Sequence, residues 1–143
     1  MFKAETYLQQ ARRLNLRISF LLKEIQRLKF MSQSISSPSM DREKICNSRP
    51  DDSSFACILA RISEMEHQLK EQMGLLIALE NQVRLTIGQL HDPEKEIILC
   101  YRYLEGLSWT DIGYLLHMDR KSVRNKHGQA LNELVLPEEA IWI

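Results

Sequence analysis

"DIGYLLHMDRKSVRNK", residues 111–126, decides the fold of the C-terminal part of this chain. The stretch has an apolar helical end, then His117-Met118-Asp119 as a short corner, then a second helix rich in Arg and Lys. Two helices joined by a turn of about three residues are typical of a helix-turn-helix. Gly113 supplies the small residue that such a crossing needs, and Asp119 stands where a side chain caps the second helix.

The orientation of the second helix follows from Val123, which is predicted to pack back on Ile112 and Leu115. The exposed positions near its start are those that a recognition helix offers to base edges in the major groove; here they are Arg120, Lys121, Arg124 and Asn125. Arg and Lys donate to guanine, and Asn pairs with adenine. The predicted phosphate contacts are Ser108, Thr110 and Lys126. A short basic helix after a tight turn also occurs in ordinary bundles, so spacing alone leaves both interpretations open.

The segment before this stretch contains helix-capping signals. Asp92 precedes Pro93 and is predicted to cap a helix whose core face contains Ile97, Ile98, Tyr101 and Leu104. Gly106 is the predicted left-handed residue at the end of that helix. "SWTD" follows, with Ser108 as the predicted N-cap and Asp111 reaching back to it. Trp109 and His127 are predicted to be packing residues.

Two long segments precede this C-terminal part, and both repeat apolar residues in alternating steps of four and three. Such steps average about 3.5, the period that keeps one seam directed at a partner helix. The first seam runs Tyr7, Ala11, Leu14, Ile18, Leu21, Ile25, Leu28, Ser32, Ile35, with Ser32 as its one polar member, and the second runs Phe55, Ile58, Ile62, Met65, Leu69, Gln72, Leu76, Leu79, Val83, Thr86, Leu90.

The predicted fold is all-α, a long antiparallel, coiled-coil-like helical hairpin followed by a helix-turn-helix bundle. The hairpin covers residues 1–90 with a Ser- and Pro-rich loop at about 34–52, the helix-turn-helix domain covers 91–136, and 137–143 form a tail. Two helices rarely bury enough surface to stand alone. The hairpin is therefore expected either to form a homodimer or to pack on the third segment. The tail, ending Ile141-Trp142-Ile143, is expected either to pack on the bundle or to dock a partner.

The distribution of charge is uneven although the net charge is zero. Residues 1–35 carry seven Lys/Arg against two Asp/Glu, and residues 92–143 carry six against nine. The basic first segment either pairs with the acidic second segment, residues 51–91, which is the commoner arrangement, or faces a polyanion. From Arg120 to Asn132 there is no acidic residue. This partition of charge is what a polyanion-binding face on a nearly neutral protein requires.

The composition argues against several classes of protein. No apolar run of about 18 residues and no signal-peptide core is present, so the chain is expected to be cytoplasmic with no membrane partner. Cys46, Cys57 and Cys100 are expected to be reduced thiols. No metal site and no cofactor are expected, because the histidines form no cluster at ligand spacing. No acid pair, activated nucleophile or phosphate-cradling Gly loop appears, so the chain is not expected to be an enzyme.

Residues 90–134, "LHDPEKEIILCYRYLEGLSWTDIGYLLHMDRKSVRNKHGQALNEL", resemble region four of bacterial sigma factors. They are more closely similar to the small phage transcriptional regulators of Gram-positive hosts of the ArpU and RinA type. The resemblance rests on Tyr-Arg-Tyr before "LEGLSW", on "TDIGYLL", and on "KHGQALNEL". The N-terminal helical part that precedes the helix-turn-helix in such regulators is present here too. Two positions depart from the family: His117 replaces a turn glycine, and Lys126 replaces an apolar residue.

The resemblance implies a sequence-specific transcriptional regulator, phage or prophage encoded. It would bind double-stranded DNA at late, packaging or lysis promoters together with host RNA polymerase. Two other classes stay open: a DNA-packaging adaptor of the small-terminase kind, which would form a ring of many subunits, and a helical interaction protein, which would bind no DNA.

Overall fold

The computed structural model describes residues 2–35 and 52–143, and this part of the chain is all-helical, without a strand. The helices are α1 (Phe2–Ile35), α2 (Asp52–Gly88), α3 (Pro93–Leu99), α4 (Trp109–Leu116) and α5 (Arg120–Glu133). A five-residue π-helical turn, Cys100–Leu104, follows α3 directly. The predicted all-α class is confirmed. Most of the predicted loop at about 34–52 lies outside the described residues.

The chain separates into two compact units. Unit 1 contains residues 1–15 and 75–143, and unit 2 contains residues 16–74. Unit 1 thus combines the start of α1 and the end of α2 with the predicted helix-turn-helix domain and tail. The sequence had suggested a boundary at residue 90. The reason is that the first turns of α1 and the last turns of α2 share one core with α3, the π turn and α5.

The main core of unit 1 takes four residues from the predicted seams, Tyr7, Ala11, Leu79 and Val83, and three from outside them, Ala4, Leu8 and Ile87. Fully or almost fully buried side chains of α1 and α2 meet those of the C-terminal elements: Ala4, Tyr7, Leu8, Ala11, Leu79, Val83, Ile87, Leu99, Tyr103, Leu104, Ala130, Leu131 and Leu134. The tail packs on the same core through Ala140 and Ile141. Of the two alternatives for the tail, this arrangement is packing on the bundle.

Unit 2 has a smaller core between its portions of α1 and α2. Ile25 and Leu28 pack with Ile58 and Ile62, and three partly buried side chains, Met31, Met65 and Leu69, cover them. Lys29 Nζ lies 3.2 Å from Glu66 Oε1 at the surface of this pair. Phe55, predicted to belong to the seam, is 40% exposed, while the neighbouring Ser54 is buried. In the first turn of α2, the inward-facing position is therefore one residue earlier in the chain than the seam predicted.

Two helix boundaries follow their sequence signals closely. The Asp92 carboxylate accepts hydrogen bonds from the amides of Glu94 (3.1 Å) and Lys95 (3.4 Å), and Pro93 occupies the first turn of α3. The Lys95 amide bond is the main reason that the pKa of Asp92 is lowered. Gly106 has φ of 72°, the left-handed conformation predicted for it. Both signals are local, and local signals are the most dependable ones in a sequence.

The π turn was not predicted, and it determines which side chains of this stretch are buried. The Glu105 amide donates to the Cys100 carbonyl at 3.0 Å, one residue further along the chain than in an α-helix. Tyr103 and Leu104 are consequently both buried. Ile97, predicted to belong to the core face, is 41% exposed, whereas Ile98 is completely buried.

The cysteines depart in part from the expected three reduced thiols. Cys57 is disulfide-bonded, while Cys100 is a free thiol whose pKa is raised by burial. Cys46 lies outside the described residues. Composition indicates a redox compartment but does not show which sulfur atoms are brought together, because a disulfide depends on close Cα atoms. Among the described residues, no helix combines the length with the apolar character that crossing a membrane would need.

Candidate nucleic-acid interface

The start of α4 is fixed by Ser108, as its sequence predicts. The Ser108 hydroxyl accepts a hydrogen bond from the Asp111 amide at 3.1 Å, and its backbone is extended (φ −73°, ψ 161°). The second half of the predicted capping box is wrong, because the Asp111 carboxylate makes no return bond and is exposed. A carboxylate at this position still interacts favourably with the N-terminus of the helix.

The corner between α4 and α5 depends on a left-handed residue. His117 has φ of 56° and ψ of 43°, and its amide donates to Tyr114 O at 3.4 Å. Histidine enters this region more readily than most side chains, although glycine does so without strain. The sequence left open whether His117 would adopt or avoid this conformation, and in the structure it adopts it.

The crossing of α4 and the corner depends on Gly113. The Met118 amide donates to the Gly113 carbonyl at 2.9 Å, which brings the two backbones together. A Cβ atom on residue 113 would lie 2.6 Å from the Met118 carbonyl oxygen. Any larger residue must therefore displace the corner backbone. The predicted role of Gly113 as the small residue at the crossing is confirmed.

Asp119 occupies the N-cap position of α5, but its side chain does not cap. Its backbone is extended (φ −74°, ψ 157°) and its carbonyl accepts from the Val123 amide at 3.1 Å, yet its carboxylate makes no capping hydrogen bond. The predicted capping side chain is therefore wrong at this residue. The carboxylate is exposed, and hydration competes with a capping bond that contributes only about 1 kcal/mol.

A small core beneath the corner fixes which face of α5 is exposed. Ile98, Ile112 and Val123 are completely buried and in one cluster, with Leu116 and Met118 packed against them. The predicted inward orientation of Val123 is confirmed. Leu115, predicted to join it, is 49% exposed, because Leu116 and Met118 occupy the space beside the cluster.

The four residues predicted to face base edges come together in the structure. They line one open groove of about 620 Å³ on the first turns of α5, and all are exposed: Arg120, Lys121, Arg124 and Asn125. No acidic side chain lines this groove. It presents three cations and one amide, which is the set of groups that donates to guanine and adenine edges.

The three predicted phosphate contacts are placed differently from one another. Thr110 is exposed in the first turn of α4. Ser108 is exposed too, but its hydroxyl is engaged as the cap of α4. Lys126 lies outside the groove lining, and its ammonium is paired with the Glu94 carboxylate on α3. In this structure Lys126 therefore links α5 to α3, as does Lys95, whose ammonium lies 2.8 Å from Glu133 Oε1.

Sequence reasoning missed Arg102, which lies in the π turn and contacts Trp109 of α4. Its guanidinium stacks on the Trp109 ring at 4.2 Å and donates to the Leu107 carbonyl at 3.1 Å. Its Nε is buried and has no hydrogen-bond partner. Burial, and after it the positive charge of Arg12, lowers the pKa of Arg102; Arg124 acts in the same direction. The signal in the sequence was Tyr-Arg-Tyr, but nothing there indicated that Arg12 of α1 would lie nearby.

His127 and Trp109 belong to the packed layer beneath the groove. His127 Nε2 and Tyr103 Oη share a hydrogen bond of 2.7 Å, and the Trp109 ring meets the imidazole edge to face at 4.6 Å. Burial is the main cause that lowers the pKa of His127 to about 4, with Arg102 and Arg124 adding to it. The imidazole is therefore neutral near pH 7. Both residues were predicted to be packing residues, and this is confirmed.

One further exposed side chain lies on α4. Tyr114 is 83% exposed, four residues after Thr110, and its hydroxyl is available to an external acceptor. Periodicity indicated only that Tyr114 faces outward. Within residues 2–35 and 52–143, no group of three or more His, Cys, Asp or Glu could hold a metal ion.

Neither a protein-family model, nor a curated protein, nor a solved structure matches this chain.

Proposed function

We propose that this chain is a sequence-specific DNA-binding transcriptional regulator in which α4 and α5 form a helix-turn-helix of the sigma region-four kind. The observation that carries the proposal is the groove of Arg120, Lys121, Arg124 and Asn125, which has no acidic lining. These residues lie on the first two turns of α5, the part of a recognition helix that enters the major groove. By resemblance, we propose that the protein is phage or prophage encoded and acts at late, packaging or lysis promoters together with host RNA polymerase.

Packing supports the assignment because it holds the groove residues in place before any DNA arrives. Val123 is completely buried, so α5 cannot rotate about its axis without exposing it. The Lys126–Glu94 and Lys95–Glu133 pairs hold α5 against α3. A helix fixed on two sides loses little freedom on binding, and such preorganisation favours affinity.

The arginines around the groove support a polyanionic ligand. Arg12 and Arg124 both act to lower the pKa of Arg102, so the three positive charges oppose one another in the free protein. A DNA phosphate placed among them would replace this repulsion by attraction. We propose these three side chains, with Thr110 and Tyr114, as the phosphate contacts of the complex.

The first two helices support a homodimer. In unit 2, one groove is lined by both helices, with Leu22 and Lys29 from α1 and Glu66 and Met73 from α2, which fits the antiparallel hairpin that we propose. This groove has a volume of about 580 Å³. The core of unit 2 holds few buried side chains. Small helical units of this kind usually gain stability by association. We propose that a second copy packs on this hairpin.

The test begins with selection of binding sites from randomised double-stranded DNA. Arg124→Ala is then compared with wild type on the selected site and on variants of it, by fluorescence anisotropy. We expect a loss of about 1–3 kcal/mol and relaxed specificity at one base position. Wild-type affinity should also fall steeply as salt is raised, because phosphate contacts release counterions.

The matched control is Arg61→Ala, which removes the same charge from an exposed position of α2 in unit 2. The proposed face is wrong if Arg124→Ala binds as tightly and as selectively as Arg61→Ala. Absence of salt-sensitive binding by the wild-type protein would favour an interaction protein. A sizing measurement that gives a ring of many subunits, and not a dimer or monomer, would favour a packaging adaptor.

A further inference from the structure

Residues 139–143 of unit 1 are held along one edge by two glutamine side chains. Gln82 Nε2 donates to the Glu139 carbonyl at 3.0 Å, and Gln82 Oε1 accepts from the Ile141 amide at 2.9 Å. Gln10 repeats the arrangement two residues later: its Nε2 donates to the Ile141 carbonyl at 2.9 Å, and its Oε1 accepts from the Ile143 amide at 2.7 Å. Each amide thus pairs with one carbonyl and with the N–H two residues further on.

This pattern is that of a strand pairing with an extended chain. In an extended backbone the carbonyl of one residue and the amide of the second residue after it point to the same side. The four paired groups therefore lie on a single edge of the segment, as the four groups of a sheet edge would. The two glutamines, one on α1 and one on α2, do what a neighbouring strand does when a peptide adds to a sheet.

A tyrosine orients one of these glutamines. Tyr7 is completely buried, and its hydroxyl donates to Gln82 Oε1 at 2.7 Å. The second lone pair of that oxygen is left for the Ile141 amide. The cleft, defined here as Tyr7, Gln10 and Gln82, is therefore ordered by groups of α1 and α2, which do not belong to the segment it holds.

The side chains of the held segment contribute less than its backbone. Ile141 is partly buried against the core of unit 1. Trp142 touches the Tyr7 ring edge to face at 5.8 Å but remains 48% exposed, and Ile143 is 62% exposed. Recognition that rests on the backbone and on one aliphatic anchor admits other sequences of the same type. A purely structural tail would be expected to bury its largest side chains.

We propose that the cleft of Tyr7, Gln10 and Gln82 is a peptide-binding site. Its ligand class is an extended segment with one aliphatic anchor residue, and an aromatic residue after the anchor adds an edge contact with the Tyr7 ring. Residues 139–143 are its resident occupant, held at the high effective concentration that covalent linkage provides. A partner protein that presents such a segment would displace them. This inference does not depend on the proposed DNA binding, because the groove of α5 and the cleft share no residue.

The experiment uses the full chain with a weakened occupant, the double variant Ile141→Ser, Trp142→Ser. The probe is a fluorescent synthetic peptide of sequence PEEAIWI, and its binding is measured by anisotropy. The double variant should bind the peptide at least about tenfold more tightly than wild type does, because in wild type the resident segment competes at roughly millimolar effective concentration. When Gln10→Ala is added to the double variant, its affinity for the peptide should fall by about tenfold, because two hydrogen bonds are lost.

Gln68→Ala in unit 2, an exposed glutamine of α2, is the matched control and should leave peptide binding unchanged. Amide hydrogen exchange in the otherwise wild-type chain gives an independent measurement. Gln82→Ala should accelerate exchange at Ile141, and Gln10→Ala should accelerate it at Ile143. The proposal is overturned if the folded double variant does not bind the peptide, or if the two glutamine variants leave both exchange rates as they are in wild type.

Discussion

Replacement of Gly113 by alanine tests whether the corner between α4 and α5 depends on a backbone contact. The new Cβ would lie 2.6 Å from the Met118 carbonyl oxygen, whereas real Cβ contacts are essentially never below 3.0 Å. The backbone must therefore shift by at least about 0.4 Å, and it cannot do so by rotating a side chain. Met118 is also tied to residue 113 by its own amide, so the shift strains that hydrogen bond.

The size of the effect follows from two opposing contributions. Forcing an extra methyl group into a closely packed site destabilises by about 1–3 kcal/mol. Alanine is a better helix former than glycine by about 1 kcal/mol, which offsets part of that strain. We expect Gly113→Ala to lower the free energy of unfolding by about 0–2 kcal/mol, the difference between these contributions.

Gly128→Ala is the control, because a Cβ there meets nothing within 4 Å. It should raise the free energy of unfolding by about 0.5–1 kcal/mol through helix propensity alone. Urea unfolding followed by tryptophan fluorescence suits the comparison, since Trp109 and Trp142 both lie in unit 1. If the two alanine variants are equally stable, the close approach at Gly113 does not exist in solution.

Four further predictions concern the same unit. His117→Gly should raise the free energy of unfolding by about 0.5–1 kcal/mol, since glycine adopts the left-handed conformation without strain, and thermal unfolding measures this. Ser108→Ala should lower it by about 1 kcal/mol, because its hydroxyl caps α4, whereas Asp119→Ala should change it by less than about 0.5 kcal/mol; equal effects would contradict the capping geometry. The pKa of His127 is lowered to about 4, so its neutral form favours folding. The unfolded chain takes up this proton near pH 6.5 and the folded chain only near 4, so stability is unaffected above 6.5 and falls by about 1.4 kcal/mol per pH unit between 6.5 and 4. His127→Phe should abolish this contribution, and a slope unchanged by the substitution would refute the assignment. Arg124→Ala should weaken binding to the selected DNA site by about 1–3 kcal/mol while Arg61→Ala does not.

Local and periodic features of the structure could be predicted from the sequence. The steps of four and three identified the buried positions of α1 from Tyr7 to Leu28 except Leu8, because burial follows helix periodicity. Asp92, Gly106 and Ser108 were recognised because each acts on backbone groups within three residues of itself. The position of the four groove residues on one exposed face could be predicted because the inward orientation of Val123 was recognised.

Features that depend on distant parts of the chain could not be predicted. The side-chain hydrogen bonds of Gln10 and Gln82 join residues more than fifty positions apart, and glutamine carries no sequence pattern that identifies its partner. The same holds for Lys126 with Glu94 and for Arg12 near Arg102. Asp119 shows a different limit of sequence-based prediction. A residue at the N-cap position can hydrogen-bond either to the helix backbone or to water, and the sequence does not show which.

The π turn at Cys100–Leu104 has a consequence for changes in chain length. A π turn is an α-helical turn with one residue inserted, so deletion of one residue there would leave a continuous α-helix. The flanking segments would keep their faces, because the five residues of the π turn rotate through about the same angle as four residues of an α-helix. Ile98 and Leu99 would therefore stay in the two cores that they now fill. A relative that is one residue shorter at this point should keep its apolar pair at the end of α3.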